Sequence, residues 1–216
     1  MIASPLDPLR EMASALGAGF VAVPPCPLSI GSPQGADDVW RNSAVLEEWR
    51  ATNAEGEARP AIVVAVWPDE HVSAAFTETS PNEFARRSEW PFAAWYAALG
   101  IAARRAADDG AIVALVERPS PLDGAGWAPE SGAADAVEAL VRSLARSEGH
   151  RGVRVNCVTT PARLAPTTVI APPPSLPRFP GRVDHEVTQA VRMLLGPGVA
   201  GVTGTVVHAD CGRSWR

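Results

Sequence analysis

All nineteen basic residues counted as Lys plus Arg are arginine, and the chain has one tyrosine, Tyr96. No position can therefore hold a lysine with a lowered pKa, a role that arginine cannot fill. The histidines His71, His150, His185 and His208 lack metal-ligand spacing, and His208, inside a β-branched run, is expected to be a hydrogen-bonded structural residue. There is no Gly-x-Ser-x-Gly elbow and no Walker sequence. Cys26, Cys157 and Cys211 are far apart and odd in number, which fits buried thiols in a reducing compartment rather than a disulfide framework. Carboxylate chemistry remains. Glu117 and Glu130, with Trp90 and Trp127, could line a shallow pocket in which a carboxylate of raised pKa donates a proton. Glu130 beside Ser131 also reads as a solvated helix start, and Tyr96 as packing within an apolar helix.

These residues need elements to position them. A chain of 216 residues, 46% hydrophobic and 20% charged, has globular composition and the length of one domain. A net charge of −5 offers no footprint for nucleic acid or an anionic membrane. The pairs Arg86–Arg87 and Arg104–Arg105 sit beside acids and read as solvated helix faces. The first residues show no leader, and no run approaches the ~18 apolar residues of a membrane span, so the cytoplasm is the expected location.

Periodicity predicts a helix over 8–18, a short strand over 20–23, a loop to Gly35, and a helix from Asp37–Asp38 through Trp40, Leu46 and Trp49 to Thr52. Residues 61–67 (AIVVAVW), 111–116 (AIVALV) and 153–158 (VRVNCV) are continuous apolar runs suited to strands buried on both faces of a parallel sheet. Residues 80–107 are expected to be helical, with Ser80-Pro81-Asn82-Glu83 as the cap. From Phe92 to Ala107 this helix is apolar almost all round, so one face should meet the sheet and the other a second subunit. A helix over 131–148 carries Ala133, Val137, Leu140, Val141 and Leu144 on one stripe. Residues 159–182 form a Pro-rich loop, 184–195 a helix, and 204–209 the last strand. Alternation of this kind gives right-handed β-α-β units and a three-layer α/β/α, Rossmann-like domain with a mostly parallel sheet.

Three stretches resemble the short-chain dehydrogenase/reductase superfamily: FTETSPNEFARR (76–87), EALVRSLARSEGHRGVRVNCV (138–158), and DHEVTQAVRMLLGP followed by GVTGTVVHADCG (184–212). The resemblance covers 61–213, with 1–60 as a degenerate, shortened nucleotide-binding part of the same single domain, 1–216. It implies hydride transfer with a nicotinamide, in which a tyrosine moves the proton, a lysine four residues later tunes it and holds the ribose, and a serine orients the substrate. It also places Glu130 at the tyrosine position, Ala134 at the lysine, Val116 or Glu117 at the serine and Pro91 at the helix asparagine of the proton relay. All four are vacant. A Gly-rich turn is likewise missing: Gly17-Ala18-Gly19 follows a helix, and Gly31…Gly35 would put Asp37 at the third glycine, where a carboxylate repels phosphate. Residues 36–60 are too few for the two strands and helix of an adenosine pocket.

These losses lead to the expectation of no catalytic residues, no cofactor and no metal, and of a pseudoenzyme that pairs with an active paralogue of the superfamily. The mixed dimer or tetramer would form through helices 91–107 and 131–148 and the C-terminal strand, with the tail 212–216 reaching toward the partner. The alternative is a nicotinamide-independent lyase, cyclase or isomerase on the same scaffold. A closed cavity holding a carboxylate of raised pKa would favour the alternative.

Overall fold

The computed structural model describes residues 1–26, 43–68, 73–121, 124–162, 186–210 and 212. Six strands form one parallel sheet: β1 (Ile2–Ala3), β2 (Val21–Ala22), β3 (Arg59–Ala65), β4 (Ala106–Glu117), β5 (Arg154–Thr160) and β6 (Val206–His208), in the order β2-β1-β3-β4-β5-β6. Helices α1 (Asp7–Ala15) and α5 (Thr188–Leu195) cover one face. Helices α2 (Ser43–Ala54), α3 (Trp90–Arg105) and α4 (Ala128–Glu148) cover the other.

The continuous apolar runs follow from this sandwich. Ile62 and Val64 of β3, with Ile112 of β4, pack under α2, α3 and α4, while the alternating Val63, Ala65 and Val113 pack under α1 and α5. A strand buried on both faces has no polar side to show. Each Ile, Leu or Val so buried contributes about 1.5–3 kcal/mol. The chain runs outward from β1 through α1 to β2, then returns past β1 to β3, so the winding direction reverses between β1 and β3. That reversal is the topological switch point of a doubly wound sheet.

The three predicted strands, the last strand and most of the helices are present. The cap at Ser80 forms, its hydroxyl accepting from the Glu83 amide at 3.2 Å. The turn at Asp108–Gly110 survives as a bulge within β4, because pairing with β3 jumps from Arg59↔Ala106 to Ala61↔Ala111. Glycine is required there, since a Cβ on Gly110 would lie 2.7 Å from the Ala107 carbonyl oxygen.

Several expectations are corrected. A strand, Ile2–Ala3, precedes α1, so the first strand-to-helix turn is Ser4-Pro5-Leu6 and Gly17-Ala18-Gly19 lies at the opposite edge of the sheet. Two residues are too short to show a pattern, and pairing with β2 and β3 makes them a strand. Helix 80–107 is not uniform: residues Ala85–Glu89 make a π turn between Pro81–Phe84 and α3. Part of the outer side of α3 is covered by α2 of the same chain, through Leu46 and Trp49. Tyr96 does not pack in the core; it is 67% exposed. On α4 the buried face holds Ala134, Val137, Glu138, Val141 and Ala145, which leaves Leu140 and Leu144 only partly covered. The face turns this way because Arg118, at the end of β4, ion-pairs with Glu138 and draws that carboxylate inward. The expectations for Gly31–Asp38, Trp40, His71, residues 163–185, Cys211 and the tail beyond Gly212 lie outside the described residues.

Candidate functional site

In a doubly wound sheet a ligand binds beyond the carboxyl ends of the strands. There the structure gathers the positions singled out by sequence: Pro91 at the start of α3, Val116 and Glu117 at the end of β4, and Glu130 and Ala134 in the first turns of α4 all line one cleft, together with Arg87. Its free space is about 30 Å³, room for about one water. Small-molecule pockets run to ~300–1,000 Å³.

The cleft is closed by charge pairing as well as by packing. Arg87 Nε donates to Glu130 Oε1 at 2.6 Å and Nη2 to Oε2 at 2.7 Å, a bidentate pair. The Arg87 side chain is 5% exposed and that of Glu130 11%. Nη2 also donates to the Gly126 carbonyl at 3.2 Å, and the guanidinium lies 5.8 Å from the Trp127 ring centroid, within cation–π range. Arg87 is therefore not a solvated helix residue, nor is Glu130 a solvated helix start. The π turn is the cause: its wider i→i+5 winding rotates the segment so that Arg87 points inward. Sequence reading missed Arg87 because periodicity assumes 3.6 residues per turn. Both Glu130 carboxylate oxygens are thus engaged by the guanidinium rather than turned to a substrate. Trp95, not Trp90 or Trp127, lines the cleft, and Trp90 is buried in the core.

The switch-point crevice is occupied too. Trp67, two residues past β3, is buried and its indole N–H donates to the Leu115 carbonyl at 3.0 Å. Its amide donates to the Ser4 hydroxyl at 2.9 Å, which ties the ends of β1 and β3 together. A dinucleotide in this crevice needs free amides at the helix N-terminus to hold its pyrophosphate. Here the Leu6 amide donates to the Ser4 carbonyl at 2.8 Å, and the Leu9 and Arg10 amides donate to the Leu6 carbonyl at 3.1 and 3.0 Å. Pro5 and Pro8 have no N–H. The Asp7 amide remains, beside its own carboxylate. The described residues of this crevice do not fit a nicotinamide dinucleotide.

The other residues with chemical potential are structural. His208 Nδ1 meets Thr159 Oγ1 at 2.7 Å across β5 and β6. Asn156 donates to the Val202 carbonyl at 2.8 Å and accepts from the Thr205 amide at 3.1 Å, fixing the turn before β6. Gly204 in that turn adopts φ of 71°, a left-handed conformation suited to glycine. Cys157 is a buried thiol whose pKa is pushed up, first by burial and then by the Glu138 carboxylate. Among the described residues no group of three His, Cys, Asp or Glu could hold a metal ion, and no helix is long and apolar enough to cross a membrane.

No protein-family model and no curated protein matches this sequence. Solved structures do match the fold. A short-chain dehydrogenase/reductase from Serratia marcescens aligns with a TM-score of 0.65 at 17% identity, over 99% of this chain and 96% of its own. A blue fluorescent protein from a metagenomic library, solved in complex with NADPH, gives 0.65 at 17% over 99% and 98%. A glucose/ribitol-type member from Brucella melitensis gives 0.63 at 20% over 100% and 96%. Sheet order, switch point and layer arrangement define a Rossmann-like α/β protein. More narrowly, the chain has the short-chain dehydrogenase/reductase fold.

Proposed function

We propose that this chain is a non-catalytic subunit of short-chain dehydrogenase/reductase fold that assembles with an active paralogue acting on a carbonyl or hydroxyl substrate. The observation that carries this reading is the bidentate Arg87–Glu130 pair in a cleft of about 30 Å³. Beside it Ala134, buried and apolar, offers nothing to hold a ribose. The spent amides of Ser4–Arg10 and the buried Trp67 support the same reading for the cofactor end. Partner contact falls on the exposed side of α3 and α4, around Tyr96, Leu140 and Leu144, and on the C-terminal strand. Assembly takes place in the cytoplasm, where the buried thiol of Cys157 stays reduced. The reading as a nicotinamide-independent enzyme requires space for a substrate beside Glu130 and Glu117, and the size of the cleft weighs against it.

Co-expression with a paralogue that retains the Tyr-x-x-x-Lys motif tests the proposal. A stable complex of the two chains is expected, with NADPH binding and turnover traced to the partner alone. A chain that stays monomeric or purely homo-oligomeric overturns it, as does saturable NADPH binding by the isolated chain.

A further inference from the structure

The sheet's opposite edge holds a larger space. β1 opposes only Val64 and Ala65 of β3, so the leading end of β3 projects past it. The room left beside that overhang, bounded by the Gly17-Ala18-Gly19 turn and the end of α3, is a cavity of about 500 Å³. That is the size of a small-molecule site. Its walls are apolar at Leu16, Phe20, Ile62 and Leu195, and none of the described lining residues is acidic.

Two arginines face this cavity, and they differ. Arg59 is ion-paired with Glu57 at 2.9 Å. Arg105, the half-buried last residue of α3, has no ion pair among the described residues. The field of both reaches the cavity wall, since burial, then Arg105 and Arg59, hold the Met1 amine below its ordinary pKa. The Arg105 guanidinium, which lies against Gly56 and has no ion pair among the described residues, calls for a negative charge, and its planar fork of N–H donors matches a carboxylate.

We infer that this cavity binds a small amphiphilic monoanion, a carboxylate head on an aliphatic or aryl body. The head sits on the Arg105 guanidinium and the body against Leu16, Phe20 and Leu195. The site is independent of the cleft at the other edge and of any partner subunit.

Calorimetric titration of the full chain with sodium octanoate tests this, with inorganic phosphate and octylammonium chloride titrated in parallel. Octanoate is expected to saturate one site while the other two do not. Arg105→Gln should weaken octanoate at least tenfold. Gly19→Leu should abolish binding without loss of fold, because a Cβ at Gly19 meets no atom within 4 Å and the side chain fills the void. If Arg105→Gln does not fold, Gly19→Leu decides. Absence of octanoate binding overturns the inference, as does affinity unchanged in the variants or phosphate binding as tight as octanoate.

Discussion

At the carboxyl edge of the sheet, Arg87 and Glu130 neutralise each other in a space for about one water. At the amino edge, Arg105 faces a cavity of about 500 Å³ with no acid among the described residues of its wall. The first edge is where a doubly wound sheet ordinarily binds ligands, yet here tryptophan and an ion pair fill it. The second is ordinarily the plain end of the scaffold. Chemical capacity therefore does not follow strand polarity in this chain. It follows which charges were left without a counter-charge and which volumes without a side chain.

The largest expected effect tests how firmly the carboxyl edge is filled. Trp67→Ala should cost about 3–5 kcal/mol in urea unfolding, and the stranded Leu115 carbonyl adds about 1–3 kcal/mol more. It should still bind no NADPH by fluorescence titration, because the amides of the first turn remain spent. NADPH affinity in this variant would show that Trp67 alone blocks the crevice. Next, Glu130→Ala strands a buried guanidinium and should cost about 3 kcal/mol, whereas Arg87→Met with Glu130→Leu should recover nearly all of it. A single variant as stable as the parent would mean the cleft is not held by charge.

A smaller effect is set by pH. Burial holds the Cys157 thiol above its ordinary value of 9.0. Its contribution is complete below that value. As pH rises past it the unfolded chain releases the proton and the native chain keeps it, so stability falls by up to about 1.4 kcal/mol per pH unit. Cys157→Ala should flatten that alkaline slope in thermal melts. At pH 8, iodoacetamide should label the half-buried Cys26 well before Cys157. The smallest effect comes from Asp7→Asn. Removing an acid from the first turn of α1 should cost under about 1 kcal/mol and create no affinity for NADPH, since the neighbouring amides stay occupied.

Much of the scaffold was legible because it repeats. Residues 61–67 and 111–116 are apolar without interruption, and only a strand covered on both faces uses such a run. The positions of Glu130, Ala134, Val116 and Pro91 were legible from resemblance, and the fold brings all four to one cleft. Arg87 was not legible, because a π turn breaks the period on which reading a helix face depends. Glu138 was not legible either, because its partner Arg118 is twenty residues away on another element.

By itself the sequence determined what this protein lacks: with no lysine, and Tyr96 as its only tyrosine, one mechanism is excluded whatever the fold. It also determined the alternation of strands and helices, because side-chain period and turn chemistry act over a few residues. Tertiary structure alone decided that Ile2–Ala3 is a strand, since two residues gain order only from the neighbours that pair with them. It alone decided that Glu130 is spent on Arg87 while Arg105 has no ion pair among the described residues. Charge compensation depends on which groups meet across space, and that is set by packing.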